Sequence, residues 1–187
     1  MDSDLRPLGW LGVLTALAGA PAPLIAADYL SVEDAQRAVF PQADHFSEVA
    51  LALNDAQRAQ VQALAGSQPP HRSLRAFRAF AGTQPVGYVF IDEVIGKQDY
   101  ITYAAGIDAA GKLTPIEVLS YRESHGGEVR SAAWRRQFGG RDQLGELRVA
   151  TDIKNIAGAT LSCEHVTQGV RWLMALWQTA LKPSANG

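Results

Sequence analysis

The sequence predicts an α+β fold, in which an antiparallel sheet of about four strands is packed by helices, the last of them a long C-terminal helix. Three observations support this prediction. The chain has 187 residues, of which 47% are hydrophobic, and this is enough to build the core of one domain. Its central part holds segments rich in β-branched and aromatic residues, separated by glycine-containing turns. Between about Thr160 and Leu181, apolar residues recur at steps of three and four, as on one face of a helix.

Two short helices are predicted before the sheet. Ser31 is a favoured N-cap, acidic residues follow it in the first turn, and Pro41 ends this helix. Asn54 caps the second helix in the same way, and Gly66 ends it. The polar stretch that comes next, residues 66–73, is predicted to form a loop.

The predicted strands follow that loop. They cover residues 74–82, 85–96, 100–108 and 113–123. The turn after Ile107 is short enough for a hairpin, whereas parallel strands would need a long crossover, and we therefore expect antiparallel pairing. After the last strand, residues 131–140 predict a short helix that ends at Gly139, with Trp134 and Phe138 on the same face.

The N-terminal residues are expected to direct the chain out of the cytoplasm. Residues 8–27 carry no charge, but Pro21 and Pro23 interrupt the run before it reaches the length of about 20 residues that a membrane-spanning helix needs. This favours a signal peptide over residues 1–27, cleaved to leave one domain over residues 28–187. A retained N-terminal anchor and a buried core helix are the alternatives. The expected location is the periplasm or another extracytoplasmic compartment, with attachment to the membrane if the anchor is retained.

Composition excludes several classes of function. The chain has 17 basic and 19 acidic residues, a balance that does not suggest a nucleic-acid partner. Its single cysteine, Cys163, cannot form an intramolecular disulfide, and neighbouring His165 would not share its face of a helix, so no metal site is predicted. The nucleophile elbow of hydrolases and the glycine-rich loops of nucleotide enzymes do not occur.

Small residues cluster where the C-terminal helix is predicted to begin, in the stretch from Asp152 to Ser162. Gly158 lets the main chain approach a ligand closely, and its alanine neighbours remove bulk. The free N–H groups of a first helical turn form a site for an anion such as phosphate. Thr160 would lie at the mouth of that site, although it could also be no more than the N-cap of the helix.

This stretch resembles the FMN-binding domain found in the C subunit of the sodium-pumping NADH:quinone oxidoreductase and in the G subunit of the Rnf complex. In that family a [ST]-G-A-T motif, a few residues after an Asp, holds FMN through a phosphoester to the last Thr. The matching residues are Ala157-Gly158-Ala159-Thr160, with Asp152 upstream and Ala157 where the family usually has Ser or Thr. The resemblance implies that FMN is attached to Thr160 by a flavin transferase that takes it from FAD. Ser162 is a competing acceptor that we rank below Thr160.

A second part of the chain resembles the same family, and together the two cover roughly residues 85–182. The loop that begins at Glu123 is similar to the family's E-T-P-G-x-G, and the stretch from Trp134 to Arg141 is similar to W-x-x-x-F-x-G-K. The resemblance implies that the loop packs on the isoalloxazine ring, with the Ser124 hydroxyl near its polar edge. The residues so predicted to bind the cofactor are Glu123, Ser124, His125, Gly126, Gly127, Trp134, Asp152, Ala157, Gly158, Ala159, Thr160, Leu161 and Ser162.

Two residue types in this region have a second interpretation. His125 either contacts the flavin or is a solvated loop residue. Arg135, Arg136 and Arg141 could pair with the flavin phosphate, but a solvated basic face is the favoured interpretation.

The resemblance implies an exported flavoprotein that relays electrons between membrane or periplasmic partners, more an electron carrier than an enzyme with its own substrate. The protein would position the flavin and tune its potential, while the cofactor supplies the redox chemistry. Two other functions stay open. The domain could bind flavin noncovalently, for delivery or sensing, or it could be a flavin-free interaction domain built on the same fold.

Overall fold

An antiparallel sheet organises the part of the chain that the structure describes. The computed structural model describes residues 27–28, 30–66 and 71–182. Its strands are β1 (Ala27–Asp28), β2 (His45–Val49), β3 (His71–Ala81), β4 (Gln84–Ile95), β5 (Tyr100–Asp108) and β6 (Glu117–Tyr121). Its α-helices are α1 (Val32–Val39), α2 (Asp55–Ala65), α3 (Ala132–Arg135) and α4 (Thr160–Leu176), and a π-helical turn over Trp177–Leu181 extends the last of these.

The two early helices begin where the sequence predicts, because their caps are local. The Ser31 side chain accepts a hydrogen bond from the backbone N–H of Asp34 at 3.1 Å. At α2, Asn54 and Gln57 exchange side-chain-to-backbone hydrogen bonds of 2.8 and 3.0 Å, which is a capping box. Gly66 in the left-handed conformation ends α2.

The strands lie in the order β1-β6-β5-β4-β3-β2, and every neighbouring pair is antiparallel. Successive residues of a strand point to opposite faces, so the sheet divides the core into two parts. Phe90 packs with residues of α2 and α4 on one face, whereas Val89 and Ile91 pack with residues of α1 on the other. The predicted α+β class, antiparallel sheet and long C-terminal helix are confirmed.

The sheet has two more strands than the four that the sequence predicts. Strand β2 is an edge strand in which only Phe46 and Val49 are half-buried, so it lacks the apolar alternation by which a strand is recognised. Strand β1 has two residues, pairs with β6 and forms the other edge of the sheet. In addition, β3 begins at His71, inside the predicted loop over residues 66–73, of which residues 67–70 lie outside the described residues.

The predicted signal peptide lies almost wholly outside the described residues. Only Ala27, the last residue of that segment, is described, and it pairs with Tyr121 of β6. Within the part of the chain that the structure describes, no helix is both long enough and apolar enough to cross a membrane.

Candidate functional site

A pocket of about 560 Å³ opens beside the N-terminus of α4. Three segments form it: the first turn of α4, the loop after β6, and the turn between β4 and β5. Its volume falls in the range of about 300–1,000 Å³ that is typical of small-molecule sites. The residues that line it are Lys97, Gln98, Glu123, Ser124, His125, Gly158, Ala159, Thr160, Leu161 and Ser162.

The N-terminus of α4 is open to a ligand. Ala159 is the N-cap, with no side-chain cap, and Thr160 is the first helical residue. The first intrahelical hydrogen bond comes from the N–H of Cys163 to the carbonyl of Ala159, at 2.9 Å. The helix therefore does not use the N–H groups of residues 160–162, which border the pocket and can bind an anion. The alternative in which Thr160 is the N-cap is wrong, because Ala159 holds that position.

Thr160 and Ser162 differ in their access to the pocket. Thr160 is exposed, and its Oγ1 accepts a hydrogen bond from Asn155 Nδ2 at 3.1 Å. Ser162 is 2% exposed, and its Oγ lies 3.5 Å from the Tyr121 hydroxyl. Leu161 between them is 43% exposed and offers an apolar surface at the pocket. Access therefore favours the hydroxyl of Thr160 as an acceptor for covalent modification.

The loop after β6 packs directly on the small residues before α4. A β-carbon on Gly126 would lie 2.1 Å from the β-carbon of Ala159 and 2.9 Å from the Tyr121 hydroxyl. Gly126 also has φ of +77°, a conformation that favours glycine. The Tyr121 hydroxyl donates to the carbonyl of His125 at 2.5 Å, and burial raises the pKa of Tyr121. The two motifs singled out from the sequence are thus in contact, and small residues are required where they meet.

The carboxylate of Glu123 holds the turn between β4 and β5. Its Oε1 accepts hydrogen bonds from the backbone N–H groups of Gln98 at 2.7 Å, of Asp99 at 3.1 Å, and of Lys97. Burial acts to raise the pKa of Glu123, but the three N–H groups outweigh it and hold the pKa below its ordinary value. A β-carbon on Gly96 would lie 2.4 Å from Oε1, so the carboxylate fits only because this residue is glycine.

Lys97 and Gln98 line the pocket, and sequence reasoning missed them. They lie in the turn that Glu123 holds, 26 and 25 residues before it. The glycine before them indicates a turn, but no local pattern shows that this turn meets the loop after β6. Lys97 adds a basic side chain to the pocket, and Gln98 adds an amide that can both donate and accept.

Ser124 and His125 are both exposed at the pocket. Ser124 Oγ lies 3.0 Å from His125 Nδ1, so the two side chains contact each other. The position of His125 at the pocket and its exposure to solvent are compatible with either interpretation given above.

Five predicted site residues do not line the pocket: Gly126, Gly127, Trp134, Asp152 and Ala157. Asp152 Oδ2 accepts from Arg148 Nε at 2.9 Å, and this contact holds the pKa of Asp152 below its ordinary value. Trp134 is 4% exposed, packs edge-to-face on Phe138, and donates from Nε1 to the carbonyl of Lys154 at 2.8 Å. Asp152 and Trp134 therefore shape the segment that leads to the pocket without lining it.

Arg141 neither faces solvent as part of a basic face nor is free to pair with a flavin phosphate, the two interpretations given from the sequence. Its guanidinium donates to the carbonyls of Gln137 at 2.6 Å, Glu146 at 2.9 Å and Asp152 at 2.8 Å. The side chain therefore ties together the irregular segment between α3 and α4, and it is neither a phosphate ligand nor part of a solvated face. The sequence did not show this because the three carbonyls come together only in the folded loop.

These features are those of a small-molecule-binding domain, and the pocket suits a ligand that carries a phosphate. The pocket joins unused helix N–H groups, a basic side chain, an exposed hydroxyl and an apolar surface. Residues 96–174 match a family described as the FMN-binding domain, and the matched segment contains every residue that lines the pocket. This match supports an FMN-binding domain over residues 96–174. A comparison with curated proteins found no match.

Proposed function

We propose that this protein carries FMN covalently, through a phosphoester to Thr160, and that it relays electrons between membrane or periplasmic partners. The observation that carries the proposal is the position of Thr160, which is exposed at the pocket and begins an α-helix whose first N–H groups are unused. A phosphoester on this hydroxyl would put its negative charge beside those N–H groups. An anion at a helix N-terminus gains about 0.3–1 kcal/mol at an exposed site.

The other residues of the pocket would bind and orient the cofactor. Gly158 and Ala159 leave room for a phosphate to approach the main chain, and Leu161 offers an apolar contact. Glu123 fixes the turn that brings Lys97 to the pocket. FMN supplies the electron-transfer chemistry when bound, and the protein contributes binding, orientation and electrostatics.

A covalent bond suits a protein that works outside the cytoplasm. A cofactor that dissociates there is diluted, whereas a tethered one keeps a high effective concentration without a tight pocket. The uncharged residues 8–27 support export, and the partner required for attachment is a flavin transferase that donates FMN from FAD. Cell fractionation tests the location: the protein should be found in the periplasmic or membrane fraction, and a wholly cytosolic protein would contradict export.

In-gel flavin fluorescence tests the attachment. The full chain is coexpressed with a flavin transferase, denatured, and run on a gel beside the Thr160→Ala and Ser162→Ala variants. We expect fluorescence in the wild type and in Ser162→Ala, which removes a hydroxyl from the same helical turn, and none in Thr160→Ala. A label that persists in Thr160→Ala would move the site elsewhere.

Noncovalent FMN binding is the second candidate, and Ala157 is the observation that favours it. The family to which the motif is similar usually has a hydroxyl residue at that position, and this chain has none there. A protein that is yellow when native but loses its flavin on denaturation would support this candidate. A protein that binds no flavin in either state would leave only a flavin-free interaction domain.

A further inference from the structure

Asn155 is the polar partner of the Thr160 hydroxyl. Its Nδ2 donates to Thr160 Oγ1 at 3.1 Å, and among the described residues this is the one hydrogen bond that the Thr160 side chain makes. Both side chains are exposed, and Asn155 lies in the non-helical stretch that leads into α4. We propose that Asn155 is a positioning residue that holds the Thr160 hydroxyl for FMN transfer, an inference that rests on the covalent attachment proposed above.

The transfer exchanges one phosphate bond for another. Thr160 Oγ1 forms a bond to the flavin-side phosphorus of FAD, and the bond from that phosphorus to the bridging oxygen breaks. AMP leaves with the bridging oxygen, and the hydroxyl proton passes to a base of the flavin transferase. No atom is oxidised or reduced.

The donor contact from Asn155 prepares the hydroxyl for this reaction. A hydroxyl has one donor hydrogen and two acceptor lone pairs. Because Asn155 occupies one lone pair, the other stays available for the phosphorus and the O–H is free to point at the base. The contact also selects one side-chain rotamer of Thr160, whereas threonine in helices otherwise divides between two.

An amide suits this position better than a carboxylate does. Asn155 is uncharged, so it does not repel the anionic diphosphate of FAD, as a carboxylate would. Asp152, the acidic residue of the same stretch, is held by Arg148 and does not line the pocket. Asn155 donates to Thr160 and not to Ser162, whose hydroxyl lies 3.5 Å from that of Tyr121, and the Tyr121 hydroxyl already donates to the carbonyl of His125. Asn155 therefore favours Thr160 over Ser162 as the acceptor.

The test compares rates of flavin attachment. The full-length apoprotein is incubated with a purified flavin transferase and FAD, and the labelled fraction is followed by intact mass and in-gel fluorescence. The variants are Asn155→Ala, Asn155→Gln, Asn155→Asp and, as a matched control on the same stretch, Thr151→Ala, whose side chain is exposed. Thermal unfolding of each apoprotein, followed by circular dichroism, separates the rate from folding.

We expect Asn155→Ala to slow attachment about 2- to 13-fold, which corresponds to the roughly 0.5–1.5 kcal/mol of a neutral hydrogen bond. Asn155→Gln should recover part of the rate because it keeps the donor. Asn155→Asp should be as slow as Asn155→Ala or slower, and Thr151→Ala should react at the wild-type rate. A merely structural role would not produce this order among variants of similar thermal stability.

Several results would overturn the inference. Asn155→Ala would contradict it by attaching flavin at the wild-type rate, and Asn155→Gln by attaching flavin no faster than Asn155→Ala. Asn155→Asp would contradict it by reaching or exceeding the wild-type rate, because that would indicate that this position needs a base and not a hydrogen-bond donor. A wild-type protein that takes no label overturns the proposed attachment and this inference with it. A labelled wild type with an unaffected Asn155→Ala overturns this inference alone.

Discussion

Replacing Glu123 with Gln tests whether this carboxylate holds the turn between β4 and β5. The substitution keeps an oxygen acceptor of nearly the same size but removes its charge. Hydrogen bonds to charged groups contribute about 1.5–3 kcal/mol each, against about 0.5–1.5 kcal/mol for neutral ones. Because Glu123 is half-buried and the turn is exposed to solvent, most of that difference is screened. We expect Glu123→Gln to lose about 1–2 kcal/mol of unfolding free energy at pH 7, or about 2–8 °C in Tm.

The pH dependence of this loss has a defined sign. The folded state holds the pKa of Glu123 below its ordinary value of 4.5, so the ionised carboxylate stabilises the folded state above that pH. The stabilisation disappears as the pH falls through the lower, folded-state pKa. The difference in unfolding free energy between the wild type and Glu123→Gln should therefore be full at pH 7 and should vanish in acid.

Urea unfolding, followed by circular dichroism at a series of pH values, measures this difference. Glu128→Gln is the matched control, because Glu128 is exposed in the same loop and carries the same charge. The reasoning would be refuted if Glu123→Gln were as stable as the wild type at pH 7, if Glu128→Gln lost as much, or if the difference persisted unchanged in acid.

Three further substitutions test other contacts. Gly126→Ala should lower the free energy of unfolding by about 2–4 kcal/mol, because alanine disfavours the positive φ and its β-carbon would overlap with Ala159. It should also lower the FMN content of the purified protein. A variant with wild-type stability and wild-type FMN content would contradict this close packing. The buried Tyr103 hydroxyl of β5 donates to the buried carboxylate of Asp92 in β4 at 2.5 Å. Tyr103→Phe removes this donor and should lose about 1–3 kcal/mol in urea unfolding, and an unchanged midpoint would show that this bond contributes nothing. Arg141→Ala should lower the free energy of unfolding by about 2–4 kcal/mol and make the segment between α3 and α4 sensitive to protease. Unchanged resistance to protease would mean that the three carbonyl contacts of Arg141 do not hold that segment.

Local signals made part of the fold predictable. The caps at Ser31 and Asn54 act within three residues, and the apolar repeat of α4 is set by the helix period, so both were visible in the sequence. The cluster of small residues before Thr160 is also a local signal, because its members are consecutive in the sequence. Strand β2 was not visible in the sequence, because an edge strand with little buried surface has no alternation to detect.

The rest of the site depends on contacts between distant parts of the chain. Glu123 accepts a hydrogen bond from the backbone N–H of Lys97, which is 26 residues earlier, and no local sequence pattern indicates this contact. The family resemblance points to Asp152 as the Asp upstream of the motif. In the folded stretch, however, Asp152 pairs with Arg148, and it is Asn155 that donates to Thr160. Composition and spacing identify candidate residues, whereas the loop conformation decides which of them reach the pocket.

The mass of the peptide that contains Thr160 tests the central claim most directly. The full chain is coexpressed with a flavin transferase, digested under denaturing conditions, and analysed by tandem mass spectrometry. The account predicts that this peptide gains the mass of one FMN less one water, and that fragmentation locates the gain on Thr160. An unmodified peptide from protein made beside an active transferase, or a gain located on another residue, would contradict it.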